Sequence, residues 1–255
     1  MKIYRFKHNH NIQYGFLKED KLIPLQRSIL GRFREKKQEI PIGDVMILPP
    51  VLPSKIVGVG RNYKEHADER GQRVPEKPLI FLKPPSSVVG TNDIIIYPDA
   101  TKRLDFEGEL ALVVGKKAWK LEKEAPTEDY ILGYTCMNDV TARDIQDKDG
   151  QWARAKSFDT FAPIGPCIAT DIDPFHLKIK TFLNGKLRQS GNTANMIFSV
   201  PELLRYVSHV MTLMPGDIIT TGTPSGVGPM SPGDRVDVQI QGIGTLSNTV
   251  MRVKK

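Results

Sequence analysis

Residues 104–114 read Leu-Asp-Phe-Glu-Gly-Glu-Leu-Ala-Leu-Val-Val, so two glutamates are followed at once by an apolar run. A short apolar run of this kind, bounded by polar residues, is typical of a strand that is buried on both faces of a sheet. Side chains two positions apart on a strand point to the same face. Glu107 and Glu109 are therefore predicted to project side by side at the mouth of a buried sheet.

Two carboxylates this close in an apolar setting repel each other unless a cation or a proton neutralises them. Asp139 follows another apolar run, residues 131–138, so a neighbouring strand would deliver a third carboxylate. Three carboxylates without cysteine or histidine ligands favour Mg²⁺ or Mn²⁺, with positions left for water or substrate, and favour calcium less. From the spacing alone, an equal alternative to a metal site is that the two glutamates lie at a solvated strand end and pair with lysine or arginine.

Strand signals continue on both sides of this segment. Apolar or β-branched runs bounded by Gly, Pro, Asn or Asp lie at 94–97, 109–114, 131–138, 177–183, 217–221 and 235–240. Asn184-Gly185 indicates a two-residue hairpin, because both central residues of a type I′ turn need a positive φ. One helix is indicated by the capping box of residues 199–202, and its apolar face would carry Leu203, Leu204, Val207, Val210 and Met211. The fold class is therefore mainly β with a few helices (α+β).

The first fifty residues are predicted to form a small N-terminal β subdomain. Short strands are expected near 2–7, 12–17 and 22–25, followed by a basic, polar helical stretch near 27–38. Pro49, Pro50 and Pro53 indicate a linker, because proline fixes φ and cannot continue a helix or a central strand. These signals divide the chain into residues 1–49 and a larger catalytic domain, residues 50–255.

Composition narrows the class of protein. The 255 residues carry a formal net charge of +7, and nucleic-acid binding is disfavoured because no dense Lys/Arg cluster stands out. A basic balance equally suits an enzyme that draws in small anions, and the charge alone does not choose. Cys136 and Cys167 lack Cys-x-x-Cys spacing and are expected to be buried thiols in a reducing compartment. A run of eighteen apolar residues is absent, as is the pattern of a signal peptide. We expect a cytoplasmic protein that does not bind membranes.

Six blocks of the sequence resemble, in order, the fumarylacetoacetate hydrolase family. They are GVGRNYKEH at 58–66, FLKP at 81–84, FEGEL at 106–110, NDVTARD at 138–144, AKSFD at 155–159 and TGTPSGVG at 221–228. The similarity is greatest to the short branch that includes acylpyruvate hydrolases, oxaloacetate decarboxylases or tautomerases, and 2-hydroxyhepta-2,4-diene-1,7-dioate isomerases. The resemblance implies a mixed β-roll core, a divalent metal, usually Mg²⁺, and usually a homodimer.

The resemblance also implies catalytic roles for particular residues, with Glu107, Glu109 and Asp139 as the metal ligands. His66 and Glu69 match the pair that activates water in the family's hydrolases, and on a helical turn the carboxylate would orient the imidazole as a general base. Lys156 matches the lysine that faces the substrate, where an ammonium stabilises a developing enolate.

Substrate contacts are expected from four further residues, Tyr63, Arg143, Gln146 and Thr223. Arg143 and Gln146 are candidates to hold the distal carboxylate or carbonyl, and an ion pair between Arg143 and Asp144 is the alternative. Thr223 lies in a glycine-rich loop, residues 222–228, which would hold the carboxylate of the 2-oxo acid. Neither this loop nor Gly58-Val59-Gly60 completes a nucleotide-binding motif, so no nucleotide or organic cofactor is expected. Trp119 and Trp152 are expected to be packing or interface residues.

Together these residues predict a metal-dependent enzyme acting on short 2-oxo acids through an enolate. Hydrolysis of a C–C bond in a 3-acylpyruvate, or decarboxylation of an oxaloacetate-like acid, is the first hypothesis, because the His66–Glu69 pair suits water activation. An isomerase or tautomerase is the alternative. A non-catalytic binding protein is the third, and the unpaired buried carboxylates that the sequence predicts weigh against it.

Overall fold

A computed structural model describes residues 1–26, 29–31, 34–69, 71 and 73–253. The strands are β1 Lys2–His8, β2 Asn11–Lys18, β3 Lys21–Gln26, β4 Arg34–Glu35, β5 Ile40–Pro41, β6 Met46–Leu48, β7 Ile56–Gly60, β8 Leu79–Lys83, β9 Val88–Val89, β10 Ile94–Ile96, β11 Leu104–Phe106, β12 Gly108–Val114, β13 Ile131–Asn138, β14 Thr141–Ala142, β15 Ala162–Ala169, β16 Lys178–Leu183, β17 Lys186–Asn192, β18 Ile218–Thr220, β19 Gly228–Met230, β20 Arg235–Ile240 and β21 Gly244–Met251. The α-helices are α1 Lys64–Glu69, α2 Arg143–Asp149, α3 Ala153–Lys156 and α4 Val200–Val210, and 3₁₀ turns lie at Ile42–Asp44, Pro85–Ser87, Thr127–Tyr130 and Thr193–Asn195.

Within the described residues the strands form three sheets. The largest has the order β4-β3-β2-β1-β15-β13-β12-β18-β7-β8, with β5, β6 and β9 paired beside it. The second sheet has the order β10-β21-β20-β16-β17, and the third has the order β14-β11-β19. The predicted fold class, mainly β with a few helices, is confirmed.

Strand β12 lies inside the largest sheet and is buried at every position. It pairs antiparallel with β13 on one side and with β18 on the other. Alternate side chains enter different apolar clusters: Leu110 and Leu112 join one that includes residues of α4, and Ala111 and Val113 join another. The strand is buried on both faces, as its uninterrupted apolar run predicted.

The N-terminal strands extend the same sheet. Lys2 and Ile3 of β1 pair with Ala169 and Ile168 of β15, and the three strands predicted before residue 26 are present. The helical stretch predicted near 27–38 is wrong, because β4 pairs with β3 in that region and strand pairing overrides the polar composition. Residues 27, 28, 32 and 33 of that stretch lie outside the described residues. The domain boundary near residue 50 stays a prediction.

The predicted hairpin and helix are also present. Asn184 and Gly185 have φ values of 51° and 74° and join β16 to β17. Helix α4 follows Ser199, whose backbone N–H donates to the Glu202 carboxylate over 2.7 Å. Val210, expected on the apolar face, is exposed because the last turn of the helix extends beyond the core. None of the described helices is both long and apolar enough to cross a membrane.

Asp217 joins the start of β7 to the turn before β18. Its Oδ1 accepts hydrogen bonds from the backbone N–H and hydroxyl of Ser54 and from the backbone N–H of Lys55. Its Oδ2 accepts from the Lys55 ammonium and from the Met214 N–H. Burial would raise the pKa of Asp217, but these donors lower it overall. Since β7 and β18 both lead to motif residues, this carboxylate helps to fix their relative position.

Replacing Asp217 with Ala should lower the free energy of unfolding by about 3 kcal/mol, because five donors lose a buried charged acceptor. The pKa of Asp217 in the folded protein lies below its ordinary value of 3.8. The stability that the ionised carboxylate contributes is therefore complete above about pH 3.8, and it is lost as the pH falls through the pKa of the folded state. Urea unfolding measured from pH 7 to about pH 3 tests both points. Equal stability of Asp217→Ala and wild type at neutral pH would contradict the assignment.

Candidate metal centre and active site

Three carboxylates converge where β12 and β13 meet, and we call Glu107, Glu109 and Asp139 the carboxylate cluster. One oxygen atom from each lies within 4.8 Å of the others. Their exposed fractions are 5%, 1% and 1%. Backbone contacts fix the geometry, because the Asp139 N–H donates to the Glu107 carbonyl over 2.8 Å. The convergence expected from the two strand ends is therefore present, while the role of metal ligand stays a prediction.

Gly108 lets the second sheet pack against the backbone between the two glutamates. A Cβ at this position would lie 2.1 Å from Thr181 Oγ1 and 3.2 Å from Val238 Cγ1, which belong to β16 and β20. The Gly108 N–H donates to Gln189 Oε1 over 2.9 Å. The Glu-Gly-Glu sequence thus places two carboxylates on one side and leaves room for a neighbouring sheet on the other.

Cations surround most of the carboxylate cluster. Lys83 Nζ donates to Asp139 Oδ1 over 2.5 Å. Lys156 Nζ donates to Glu107 Oε2 over 2.9 Å and to Asp139 Oδ2 over 2.5 Å. Arg143 Nη2 contacts the other Glu107 oxygen. Burial opposes ionisation, but Lys156 and Arg143 together hold the pKa of Glu107 below its ordinary value. Glu107 and Asp139 are therefore both held by basic side chains.

Glu109 differs from its two neighbours. No ion pair reaches it among the described residues, and its Oε2 accepts one hydrogen bond, from the Gly222 N–H over 2.9 Å. Burial and the negative charges of Asp139 and Glu107 raise the pKa of Glu109 well above its ordinary value. A divalent cation would relieve this repulsion, and three buried carboxylates supply the hard oxygen donors that Mg²⁺ or Mn²⁺ requires. The residues present therefore fit such an ion.

His66 and Glu69 lie on α1, three positions apart, as the sequence predicted. His66 Nδ1 lies 3.3 Å from Glu69 Oε2, and both Glu69 oxygens also accept from the Gly226 N–H. The imidazole is buried and lines the cavity beside the carboxylate cluster. Burial lowers the pKa of His66 despite the raising effects of Glu107 and Glu69. At neutral pH the ring is therefore uncharged and able to accept a proton.

Arg143 is bound by protein groups on three sides. Its Nε donates to Asp105 Oδ2 over 2.9 Å, its Nη1 to Gln146 Oε1 over 2.5 Å, and its Nη2 contacts Glu107. The alternative ion pair with Asp144 is wrong: Asp144 accepts hydrogen bonds from the Thr101 hydroxyl and the Lys102 N–H instead. Arg143 and Gln146 both line the cavity, so their substrate role stays a prediction.

The glycine-rich loop, residues 222–228, holds the carboxylate cluster and α1. The Thr223 hydroxyl donates to the Gly108 carbonyl over 2.9 Å and accepts from Gln189 Nε2 over 2.8 Å. The Gly222 and Gly226 N–H groups donate to Glu109 and Glu69. These groups were expected to hold a substrate carboxylate, and here they bind protein. Thr223 lines the cavity, and its contact with substrate stays a prediction.

Tyr63 lies outside the cavity lining. Its side chain is buried in the main apolar cluster, and its hydroxyl has no hydrogen-bond partner among the described residues. Burial and the nearby charge of Glu109 raise its pKa. The structure therefore places Tyr63 near a predicted metal ligand, in the packing behind it.

Gln189 was missed by the sequence analysis. It lies on β17, is fully buried, and uses both ends of its amide: Oε1 accepts from the Gly108 N–H, and Nε2 donates to Thr223 and to the Pro224 carbonyl. No motif surrounds Gln189, and Gly108 is 81 positions away, so no local signal could have found this contact. Gln189 joins the backbone of the Glu-Gly-Glu segment to the glycine-rich loop.

A cavity of about 250 Å³ opens beside the carboxylate cluster. It is smaller than the roughly 300–1,000 Å³ usual for drug-sized ligands, so it suits a short acid. Arg61, Phe81 and Trp152 form one side of it, and we call them the side wall. The sequence did not predict the side wall, because Trp152 was expected to be a packing or interface residue, whereas the structure places it in the cavity lining. His66, Arg143 and Lys156 line the same space.

Comparison with known proteins agrees with this geometry. Residues 55–251 match the model of the fumarylacetoacetate (FAA) hydrolase C-terminal family, and residues 1–50 match the Rv2993c-like N-terminal model. This chain belongs to the fumarylacetoacetate hydrolase family. The expected homodimer and the cytoplasmic location stay predictions.

Two relatives and two solved structures illustrate the range of the family. A protein of Archaeoglobus fulgidus described only as uncharacterised is 54% identical, with 85% of this chain and 86% of that protein covered. The oxaloacetate tautomerase YisK of Bacillus subtilis is 44% identical, with 87% and 76% covered.

The two structures cover this chain and their own chains completely. A 2-hydroxyhepta-2,4-diene-1,7-dioate isomerase from Mycobacterium marinum has a TM-score of 0.92 and 41% identity. A maleylpyruvate hydrolase from a Sphingobium species, in complex with manganese (II) ion and pyruvate, has a TM-score of 0.82 and 29% identity. Members similar to this chain thus include a tautomerase, an isomerase and a hydrolase.

Replacing Gln189 with Ala should weaken Mn²⁺ binding about 10- to 100-fold, the loss typical when groups that orient metal ligands are removed. Gln239 is an exposed residue of β20 in the same sheet, so Gln239→Ala is the matched control. Isothermal titration of Mn²⁺ into the stripped variants measures the effect. Equal affinity in Gln189→Ala and Gln239→Ala would show that the amide does not position the cluster.

The pH profile of turnover should reflect the lowered pKa of His66. A base that is active when neutral loses activity as it becomes protonated, so the acidic limb of kcat/KM should lie below the ordinary histidine value of 6.5. Rates measured between about pH 5 and pH 8 locate this limb. A limb centred above about pH 7 would contradict a buried, neutral His66.

Proposed function

We propose that this protein is a divalent-metal-dependent tautomerase that interconverts the enol and keto forms of a short 2-oxo dicarboxylic acid such as oxaloacetate. The observation that carries the proposal is the small cavity in which His66 and Lys156 lie beside the carboxylate cluster. The 44% identity to an oxaloacetate tautomerase supports the same reaction class.

The carboxylate cluster would hold the metal, with Mg²⁺ as the first candidate and Mn²⁺ as the second. When bound, a divalent cation acts as a Lewis acid that stabilises the negative charge of an enolate. Glu109 lies on β12, Glu107 comes just before that strand, and Asp139 comes just after its partner β13. The Asp139 N–H also binds the Glu107 carbonyl, so the spacing of the three residues is fixed before an ion arrives. The site is therefore preorganised for this role.

His66 and Lys156 supply an acid and a base with separated pKa values. Burial alone would lower the pKa of Lys156, but the charges of Asp139 and Glu107 raise it, so Lys156 stays protonated while His66 stays neutral. Two environments that push pKa values apart in this way define acid and base roles. His66 removes a proton from C3 of the keto acid, and Glu69 orients the imidazole.

The ammonium of Lys156 faces the cavity and is already held by two carboxylates. Its hydrogen bonds to Glu107 and Asp139 use two of three N–H donors, which leaves one for the substrate among the described contacts. That donor stabilises negative charge on the substrate and gives a proton to the enolate oxygen as His66 takes the proton from C3. In the reverse direction the Lys156 amine takes the enol proton back, and protonated His66 returns its proton to C3.

Hydrolysis or decarboxylation is the second candidate function. The observation that favours it is the His66–Glu69 pair, because an oriented neutral imidazole also activates water. The maleylpyruvate hydrolase that was solved with manganese (II) ion and pyruvate has the same fold. One site therefore suits either outcome, and the fate of the substrate distinguishes them.

The deciding experiment follows oxaloacetate, acetylpyruvate and fumarylpyruvate with metal-stripped protein, before and after addition of Mg²⁺ or Mn²⁺. Loss of the enol absorbance band and release of pyruvate are recorded separately. Metal-dependent loss of the oxaloacetate enol without pyruvate is expected. Pyruvate release would instead establish the second candidate function, and no metal-dependent change with any of the three acids would refute both.

Replacing His66 with Ala should slow the metal-dependent reaction at least about 100-fold, the lower end of what a positioned general base contributes. His176 is exposed and lies outside the cavity lining, so His176→Ala is the matched control and should keep the wild-type rate. Stopped-flow absorbance of the enol band measures both. An unchanged rate in His66→Ala would remove His66 from the reaction.

A further inference from the structure

Three cationic side chains with fixed charge line the described part of the cavity: Arg61, Arg143 and Lys156. Two of them are committed to protein carboxylates, since Arg143 binds Asp105 and Glu107, and Lys156 binds Glu107 and Asp139. Their charges are therefore largely balanced before a substrate arrives. The remaining cation, Arg61, is the one to consider as an anion-binding group.

Arg61 makes no ion pair or side-chain hydrogen bond with any described residue, and its buried Nε is without a partner. Its guanidinium carbon lies 5.8 Å from the centre of the Trp152 ring, which supports the group without using its N–H donors. A guanidinium presents five donors in a planar fork that matches a carboxylate. An unused fork at a cavity wall is built to bind an anion from outside the protein.

The backbone at Arg61 carries a second, independent signal. Its φ is 57°, a left-handed conformation that is unfavourable for a residue with a long side chain. Of the described non-glycine residues with positive φ, Arg61 is the one that lines the cavity. Strain of this kind persists where the surrounding structure requires it and is concentrated at functional sites.

The neighbouring residues fix the position of the side wall. Trp152 lies against Gly60, where a Cβ would come within 2.5 Å of the indole, and it contacts Phe81 edge to face with ring centres 5.4 Å apart. The indole therefore has little freedom to move, and the guanidinium beside it has a defined place. The side wall and the carboxylate cluster are parts of one small cavity.

The geometry points to Arg61 as the residue that selects dicarboxylic substrates, by binding the carboxylate remote from the 2-oxo acid end. This inference rests on the proposed function, which places the 2-oxo acid end at the carboxylate cluster. It assigns to Arg61 the role for which the sequence suggested Arg143, whose three nitrogens already bind Asp105, Gln146 and Glu107. The substrate is accordingly a dianion with its charges at opposite ends.

The test compares oxaloacetate with pyruvate, because the two share a 2-oxo acid end and differ by one carboxylate. Affinity for each is measured by calorimetry on the Mg²⁺-loaded protein, alongside KM wherever turnover occurs. The variants are Arg61→Met, Arg61→Lys and Arg61→Gly. Arg154→Ala is the matched control, because Arg154 is exposed, pairs with Asp149 and lies outside the cavity lining.

Arg61→Met should weaken oxaloacetate binding about 10- to 100-fold, the loss expected for a charge-assisted, bidentate contact, and should change pyruvate binding by less than about twofold. Arg61→Lys should lose part of this preference, because a lysine keeps the charge without the planar fork. Arg61→Gly should lose the whole preference for oxaloacetate over pyruvate. Its melting temperature should be no lower than that of Arg61→Met, since glycine accepts a positive φ. Arg154→Ala should keep the wild-type preference.

Wild-type protein without a preference for oxaloacetate would overturn the assignment. So would an Arg61→Met variant in which the binding of both acids is weakened equally, or in which neither is weakened. Failure of the proposed function looks different. Suppose that the wild-type protein binds oxaloacetate in preference to pyruvate through Arg61 but does not interconvert its enol and keto forms. The proposed tautomerase activity would then be refuted, and the assignment of Arg61 as the selecting residue would stand. Turnover that keeps its dicarboxylate preference in Arg61→Met would refute the assignment of Arg61 alone.

Discussion

Burying three carboxylates around one point is the constraint on which the structure depends. An unpaired buried ion costs several kcal/mol, so each such group needs cations and hydrogen-bond donors in fixed positions. The fold delivers them from separate elements: Lys83 from β8, Arg143 from α2 and Lys156 from α3. Glu109 alone has no cation partner among the described residues, and burial and its acidic neighbours raise its pKa, so the cluster lacks positive charge only where a metal fits.

The same constraint explains how the sheets are joined. Gly108 lets the second sheet approach β12, and Gln189 from that sheet binds the Gly108 N–H and the Thr223 hydroxyl. The glycine-rich loop then binds back to Glu109 and Glu69 through its N–H groups. Backbone and amide groups thus form a scaffold around the charges, and the loop acts as structural support for the site.

Local patterns were sufficient to predict some of the strands, including β12 and β13, the Asn184-Gly185 hairpin and the convergence of Glu107, Glu109 and Asp139, because strand periodicity and turn geometry are set by neighbours in the sequence. Other strands, such as β15 and β21, were not predicted. The contacts of Gln189 and the pairing of Arg143 with Asp105 could not be predicted, since they join positions 81 and 38 residues apart. The strand at Arg34–Glu35 was read as helix for the same reason. Its conformation comes from pairing with β3.

The side wall and the carboxylate cluster are supported by different interactions. Arg61 and Trp152 depend on Gly60 and Phe81 at one edge of the largest sheet, whereas the acidic residues depend on the paired strands inside it. Phe81 also contacts the Lys156 ammonium, whose Nζ lies 5.0 Å from its ring centre. Arg61 makes no ion pair with any described residue, so a substitution at Arg61 leaves the ion pairs of the centre intact. A gene for such a chain can accumulate changes in ligand preference over evolutionary time while the same chemistry is retained, which gives one scaffold a route to many metabolic roles.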